Sequence, residues 1–439
     1  MNLVRLSKRA GPKRRTVLGA VLVTLALLAT IPAGAVSASS SKPAADPAVI
    51  TDWNATAVTT IVTEAGINNA TTTHWFAVEQ AAVYNAVVGI TRKYDLYKWH
   101  AHAARGASPE AAAAAAAYRI LSNYFPASQL NLDKAYAASL LKIPDGRAED
   151  RGVKFGERAA TRIIKLRMND GWNAPIAFTQ PPAAGVWRPT PPAFLPMLAP
   201  WLGHVRPFLL KSSSQFSPRR PPALTSAKYT REFNEVKAIG SLTSTLRTPE
   251  QTETAKFISG IFFAPFQSSL RDLVTRHHLD ISKSARLFAA VDMSMADAAG
   301  GAWYSKLHFP LWRPITAIQL ADTDGNPATV ADPTWVPLLV TPPYADYVSG
   351  FNALAGSSTR ALTHVLGTSR IDLNITSSVT GTTRHYEWAS QFTSDGVDGR
   401  IWAGIHFRTA DVAAIKMGRQ VADYALDHYF QRRHHDHDD

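Results

Sequence analysis

Apolar positions recur along this chain mainly with helical spacing. Between Asp52 and about Met168 they return every three or four residues, as in Trp75, Val78, Ala82, Val83 and Val87, which predicts a succession of helices. Ser108, Pro109 and Glu110 supply a cap, an N1 proline and an early acid directly before the alanines of 111–117, a strong helix start. Thr248, Pro249 and Glu250 repeat that device. Helical spacing resumes near Thr225 and continues through Leu287 to Lys306, and further helices are predicted from about Ala353 to Leu366 and up to about Tyr429. Strand signals are few and short.

The stretch from Gly171 to Pro222 breaks the pattern, because 12 of the 28 prolines lie there with Trp172, Trp187 and Trp201 among them. Helices cannot run through it, and it reads as an ordered irregular segment that packs its tryptophans on the helices. The expectation is a mainly α protein: an N-terminal helical region over 39–222, a C-terminal helical bundle over 223–431, and an exposed His/Asp tail over 432–439. No solenoid repeat and no Gly-rich phosphate loop is present.

Composition sharpens this only in places. With 46% hydrophobic and 18% charged residues, the 439-residue chain is a folded protein. Half of its formal charge of +12 comes from six basic residues in the first fifteen positions (Arg5, Lys8, Arg9, Lys13, Arg14, Arg15). These precede an apolar run from Val17 to Ile31 and the small residues Ala33-Gly34-Ala35 and Val36-Ser37-Ala38, the order of an export signal over 1–38. Lys13-Arg14-Arg15-Thr16-Val17-Leu18 is similar to a twin-arginine signal, and a basic Sec signal is the alternative. The apolar run is short for a membrane span. The expectation is a soluble, extracytoplasmic protein with no membrane contact after cleavage and no nucleic-acid partner. The absence of cysteine excludes thiolate metal sites and cysteine nucleophiles, so any metal is held by His, carboxylate or a pocket for an oxyanion.

Candidate chemistry gathers in the last third. Lys306 and Arg313 stand seven residues apart, with Pro310 and Pro314 placing the lysine at a helix end and the arginine in the loop that follows. Ser349 and Gly350 lead into the helix predicted from Ala353, offering a hydroxyl and free backbone N–H groups, the chemistry of an anion site. Arg400 and His406 would stand about 240° apart on one ideal helix, so they converge only if the helix breaks, which Gly404 makes easy. Together these residues form a pocket for a tetrahedral trianion, with an imidazole placed to bond its central atom.

Three motifs carry a resemblance: Lys306/Arg313/Pro314 to K-x6-R-P, Ser349/Gly350 to P-S-G-H, and Arg400/His406 with Asp411 nearby to S-R-x5-H-x3-D. In these the chain resembles the vanadium-dependent haloperoxidases and their relatives, the type 2 phosphatidic acid phosphatase and bacterial acid phosphatase superfamily. Trp53-Asn54, the stretch Ala81 to Val87, Trp187 to Phe194 and Trp312 to Ile318 extend the resemblance to secreted bacterial haloperoxidases over nearly all of the mature chain. The resemblance implies helical bundles around an oxyanion. It also implies that Lys306, Arg313 and Arg400 neutralise the oxygens of vanadate, with phosphate as a competing oxyanion, and that Ser349 and the Gly350 amide add hydrogen bonds. His406 would be the axial vanadium ligand, or in a phosphatase the nucleophile that becomes phosphorylated, and Trp303 and Tyr344 fall near the halide. Hydrogen peroxide, a halide and an organic acceptor, or else a phosphate ester, are the implied partners.

The chain departs from the family pattern at Gly399 and Val348, and most of all at Phe351, where the pattern has its acid–base histidine. A phenyl ring cannot move a proton, and loss of a general acid costs ~10²–10⁴ in rate. His308 and His385 are candidate substitutes. The expected function is a secreted haloperoxidase-like enzyme, with an acid phosphatase and a non-catalytic oxyanion-binding protein as alternatives.

Overall fold

Ser108 caps the third helix as its sequence requires, its hydroxyl accepting from the Ala111 amide at 3.1 Å. The computed structural model describes residues 44–433; the export signal expected over 1–38 and residues 434–439 of the tail lie outside that range. The N-terminal helices are α1 (Ala48–Val58), α2 (Thr72–Thr91), α3 (Pro109–Tyr124), α4 (Gln129–Leu140) and α5 (Arg147–Arg167). Every side chain of α2 from Thr72 to Gly89 is buried, so this helix is an axle rather than an amphipathic face. The alanines of α3 are buried against α5, where Gly152 and Gly156 let the two backbones approach within reach of the Ser108 and Ala112 carbonyls. Small side chains on both helices explain the alanine run.

Between α5 and residue 226 the proline-rich segment holds only a short 3₁₀ turn, Pro200–His204. It is a strap pinned at several points. Asp297 accepts the amides of Phe208, Leu209 and Leu210 at 2.7, 2.7 and 2.9 Å. Trp187 donates its amide to Pro310, Trp312 to Gly185, and Leu198 to Pro343. Trp172 packs on Trp75, Trp201 and His74, as its expected role demands.

The remaining helices are α6 (Ala227–Ile239), α7 (Pro249–Ser259), α8 (Ala264–Arg276), α9 (Ile281–His308), α10 (Pro314–Gln319), α11 (Gly350–Leu366), α12 (Ala389–Trp402) and α13 (Arg408–His428). Thr248 and Gln251 close a capping box on α7, and Asp280 caps the 28-residue α9. This long helix packs on α2, α11 and α13 and ties the two sets of helices together. The helix expected from Ala353 begins three residues earlier, since Ser349 takes the cap and its hydroxyl accepts from Asn352. A hairpin of β1 (Arg370–Thr376) and β2 (Thr383–Trp388) pairs Leu373 with Tyr386 and lays Ile371, Leu373 and Ile375 into the core.

A polar chain crosses the interior: Arg271 donates to Asn54, Asn54 to Gln267, and Gln267 to Asp292, at 2.7, 2.7 and 2.6 Å. Burial pushes Asp292 up to about 7, and burial together with Asp292 raises Glu79 well above its ordinary value. No helix among the described residues is long and apolar enough to cross a membrane.

Candidate oxyanion site

Three elements deliver the site. Lys306 lies in the last turn of α9, Arg313 is the residue before α10, and the 344–350 loop runs into the N-terminus of α11. Arg400 lies in the last turn of α12, and Gly404 breaks the chain with φ of 76° before His406 and α13. The expected break therefore occurs, with Arg400 still helical and His406 beyond the turn.

The structure brings Lys306, Arg313, Ser349, Gly350, Arg400 and His406 into one buried cluster: Lys306, Arg313, Ser349 and His406 are fully buried and Arg400 is 8% exposed. Arg313 donates from Nε to the Tyr344 carbonyl and from Nη1 to the Ile405 carbonyl, both at 2.6 Å. Its Nη1 also lies 3.0 Å from His406 Nε2 and 3.3 Å from Nδ1. Near-equal distances to both ring nitrogens are met only over the ring face, so Arg313 stacks on the imidazole and leaves the in-plane side of Nε2 open. Arg313 Nη2 and Arg400 Nε are buried without a protein partner. Buried guanidinium donors left unpaired are costly, and an oxyanion satisfies them.

Lys306 is tied to the loop that precedes α11. Its ammonium donates to the carbonyls of Ala345, Asp346 and Val348 at 2.6, 3.3 and 2.5 Å, which accounts for all three of its protons. It supplies charge and ties down the loop that carries Ser349, rather than presenting a free donor.

Electrostatics set the protonation. Burial, then Arg313, Arg400 and Lys306, hold His406 well below its ordinary value, so its imidazole is neutral. Burial lowers Lys306, Arg313 and Arg400. Two acids absent from the expected set share the space. Burial raises Asp346 well above its ordinary value, and it pushes Asp411 up to about 7 against hydrogen bonding from Ser349 and Asn352. Nothing in the sequence pattern pointed to Asp346, a carboxylate in an otherwise apolar and aromatic loop.

Aromatic groups wall the cluster. Trp303 is buried, donates to the Leu198 carbonyl at 3.0 Å and packs 5.0 Å from Tyr344. The Tyr344 ring centre is 4.9 Å from Lys306 Nζ and 4.8 Å from Arg313 Cζ. Phe351 packs edge-on against Phe262 at 4.3 Å, with Arg400 Cζ 5.3 Å from its ring centre. A Cβ on Gly350 would come within 3.1 Å of Trp303, so a larger residue here would press on the indole. His308 and His385 do not join the cluster: both are exposed, the first stacked on Tyr304 and the second bonded to Asn374 on the hairpin.

Residues 286–435 match the family model described as VCPO second helical-bundle domain. The vanadium chloroperoxidase of Curvularia inaequalis is 28% identical over 322 residues, covering 56% of this chain and 51% of that protein. The chain thus spans about half the length of this curated relative. Among solved structures, a bacterial vanadium-dependent iodoperoxidase superposes with a TM-score of 0.74 at 22% identity, covering 87% of this chain and 96% of the other. A holo-type bacterial vanadium-dependent chloroperoxidase gives 0.68 at 15% identity, covering 88% and 98%. At these identities the structures speak for the fold, which is that of the bacterial vanadium-dependent haloperoxidases, and the match to the VCPO second helical-bundle domain is confined to residues 286–435.

Proposed function

We propose that this protein is an exported, vanadate-binding haloperoxidase-like enzyme that takes hydrogen peroxide, a halide and an organic acceptor. The observation that carries the reading is the pair of buried, unpartnered guanidinium donors, Arg313 Nη2 and Arg400 Nε, beside the His406 imidazole, whose Nε2 edge the stacked Arg313 leaves open. Three buried basic side chains, Lys306, Arg313 and Arg400, face two buried carboxyls, Asp346 and Asp411, that burial raises toward their neutral forms, a balance that suits an anion. The residues present fit vanadate: Arg313 and Arg400 would hold its oxygens, the Gly350 amide and the Ser349 hydroxyl, turned from Asp411, would add hydrogen bonds, and His406 Nε2 would bind the vanadium. Bound vanadate supplies the Lewis-acid chemistry that activates peroxide toward halide. The chain's own part is to neutralise the anion, keep His406 unprotonated and line the approach with Trp303 and Tyr344.

Phe351 places no proton-transfer group beside the anion, and we propose that this slows the inherited reaction rather than changing its class. Phosphate would compete for the same donors, and a phosphatase would work through phospho-His406. Parallel assays separate the readings. Peroxide-dependent halide oxidation that requires vanadate, without turnover of phosphomonoesters, is expected; phosphatase turnover alone overturns the proposal, and vanadate binding with neither activity points to a non-catalytic oxyanion-binding protein.

A further inference from the structure

Asp411 is the first acid after His406 in the chain. In the structure Asp411 faces another way: its Oδ1 accepts from Asn352 Nδ2 at 2.7 Å, on the α11 side of α13. The acid that meets the imidazole comes from 60 positions earlier in the chain. Asp346 Oδ1 lies 2.8 Å from His406 Nδ1, with both side chains out of solvent, and Arg313 Nη1 is 3.9 Å from the same oxygen.

We infer that Asp346 is the positioning residue of the site: it accepts the Nδ1 proton of His406, fixes that tautomer, and so reserves the Nε2 lone pair for the central atom of a bound oxyanion. The inference rests on the oxyanion reading above and names the residue that prepares its axial ligand. Three features support it. Asp346 Oδ1 is the carboxyl oxygen that meets Nδ1, and an acceptor at one ring nitrogen decides where the imidazole proton resides. The loop is held so that the carboxyl cannot swing away: the Asp346 amide donates to the Leu311 carbonyl, and Lys306 binds the carbonyls of Ala345, Asp346 and Val348. The stacked Arg313 guanidinium restrains the ring from its face while Asp346 restrains it in the plane. A partner on the far nitrogen of a ligating histidine is the usual means of orienting it.

The test reads the tautomer directly, in protein free of vanadate. ¹⁵N NMR of histidine-labelled protein is expected to show His406 protonated at Nδ1 in the wild type and in Asp411→Asn. Asp346→Asn should keep that tautomer, because its amide oxygen still accepts, whereas Asp346→Ala should lose it. Calorimetry with orthovanadate should then show about a 10-fold or greater loss of affinity in Asp346→Ala. Thermal melts check that each variant is folded. If Asp346→Ala does not fold, the wild-type and Asp346→Asn spectra still decide. A wild-type His406 protonated at Nε2, or an Asp346→Ala spectrum identical to wild type, overturns the inference. A wild type that fails to bind vanadate yet shows the Nδ1 proton overturns the proposed function and leaves the positioning role standing.

Discussion

Gly404 is pressed against Gly240 so closely that a Cβ on Gly404 would overlap the Gly240 carbonyl oxygen. The same residue has φ of 76°, in the left-handed region that glycine adopts at little cost. The turn it makes is what lets Arg400, at the end of α12, and His406, in the link to α13, face one pocket. Gly404→Ala is expected to lower the melting temperature, with a cost of about 1–3 kcal/mol from overpacking and backbone strain, and to weaken vanadate binding as well. Gly325→Ala, at a positive-φ glycine with open space around it, should affect stability alone. Calorimetry on both variants checks this.

Arg400 contributes a buried, unpartnered Nε donor, with its guanidinium beside the Phe351 ring. Arg400→Ala should weaken both orthovanadate and phosphate by at least about 10-fold, the loss of one charge-assisted contact of ~1.5–3 kcal/mol. Affinities unchanged for both anions would mean that the guanidinium does not face the ligand.

Phe351→His should raise peroxide-dependent bromide oxidation by ~10²-fold by restoring a proton-transfer group. The edge-on contact with Phe262 is lost in the same change, so a stability loss of ~1–3 kcal/mol should accompany the gain. Turnover and melting of the one variant measure both, and no gain in rate would show that this position is not what limits the enzyme.

Asp292 gives a pH signature unconnected with the site. Its native carboxyl, pushed up to about 7, keeps a proton that the unfolded chain releases near pH 4, so stability falls as pH rises between those values and the penalty is complete above 7. Asp292→Asn removes the penalty. The melting temperature of the variant relative to wild type should therefore climb from pH 4 to 7 and then level off; a constant difference would count against a protonated native carboxyl.

Much of this architecture could be read from residue order. Caps at Ser108, Thr248 and Ser349, the proline barrier from Gly171 to Pro222 and the spacing of Lys306 to Arg313 are local signals, and helices and loops obey local signals. What escaped depends on tertiary placement. The start of α11 at Gly350 was missed because the serine singled out for its hydroxyl also serves as the cap. The hairpin 370–388 was missed because its buried positions are few, and Asp346 because only the folded loop brings it to His406. The Lys306 motif gave the place, while the three loop carbonyls that its ammonium binds could be known only from the fold. Trp53-Asn54, noted only as a resemblance, turns out to link Arg271 to Gln267 through the Asn54 amide.

The strap has a consequence for the time course of refolding. Leu198 meets Trp303 across 105 positions, and Trp187 and Leu198 bond to the loops on either side of the cluster, so loop-closure entropy delays these contacts relative to the helices they rest on. In stopped-flow refolding, far-ultraviolet ellipticity should recover first and tryptophan fluorescence later. The capacity to bind an oxyanion should return with the slower phase, because the loops that present Arg313 and Ser349 settle only once the proline-rich chain has closed over them.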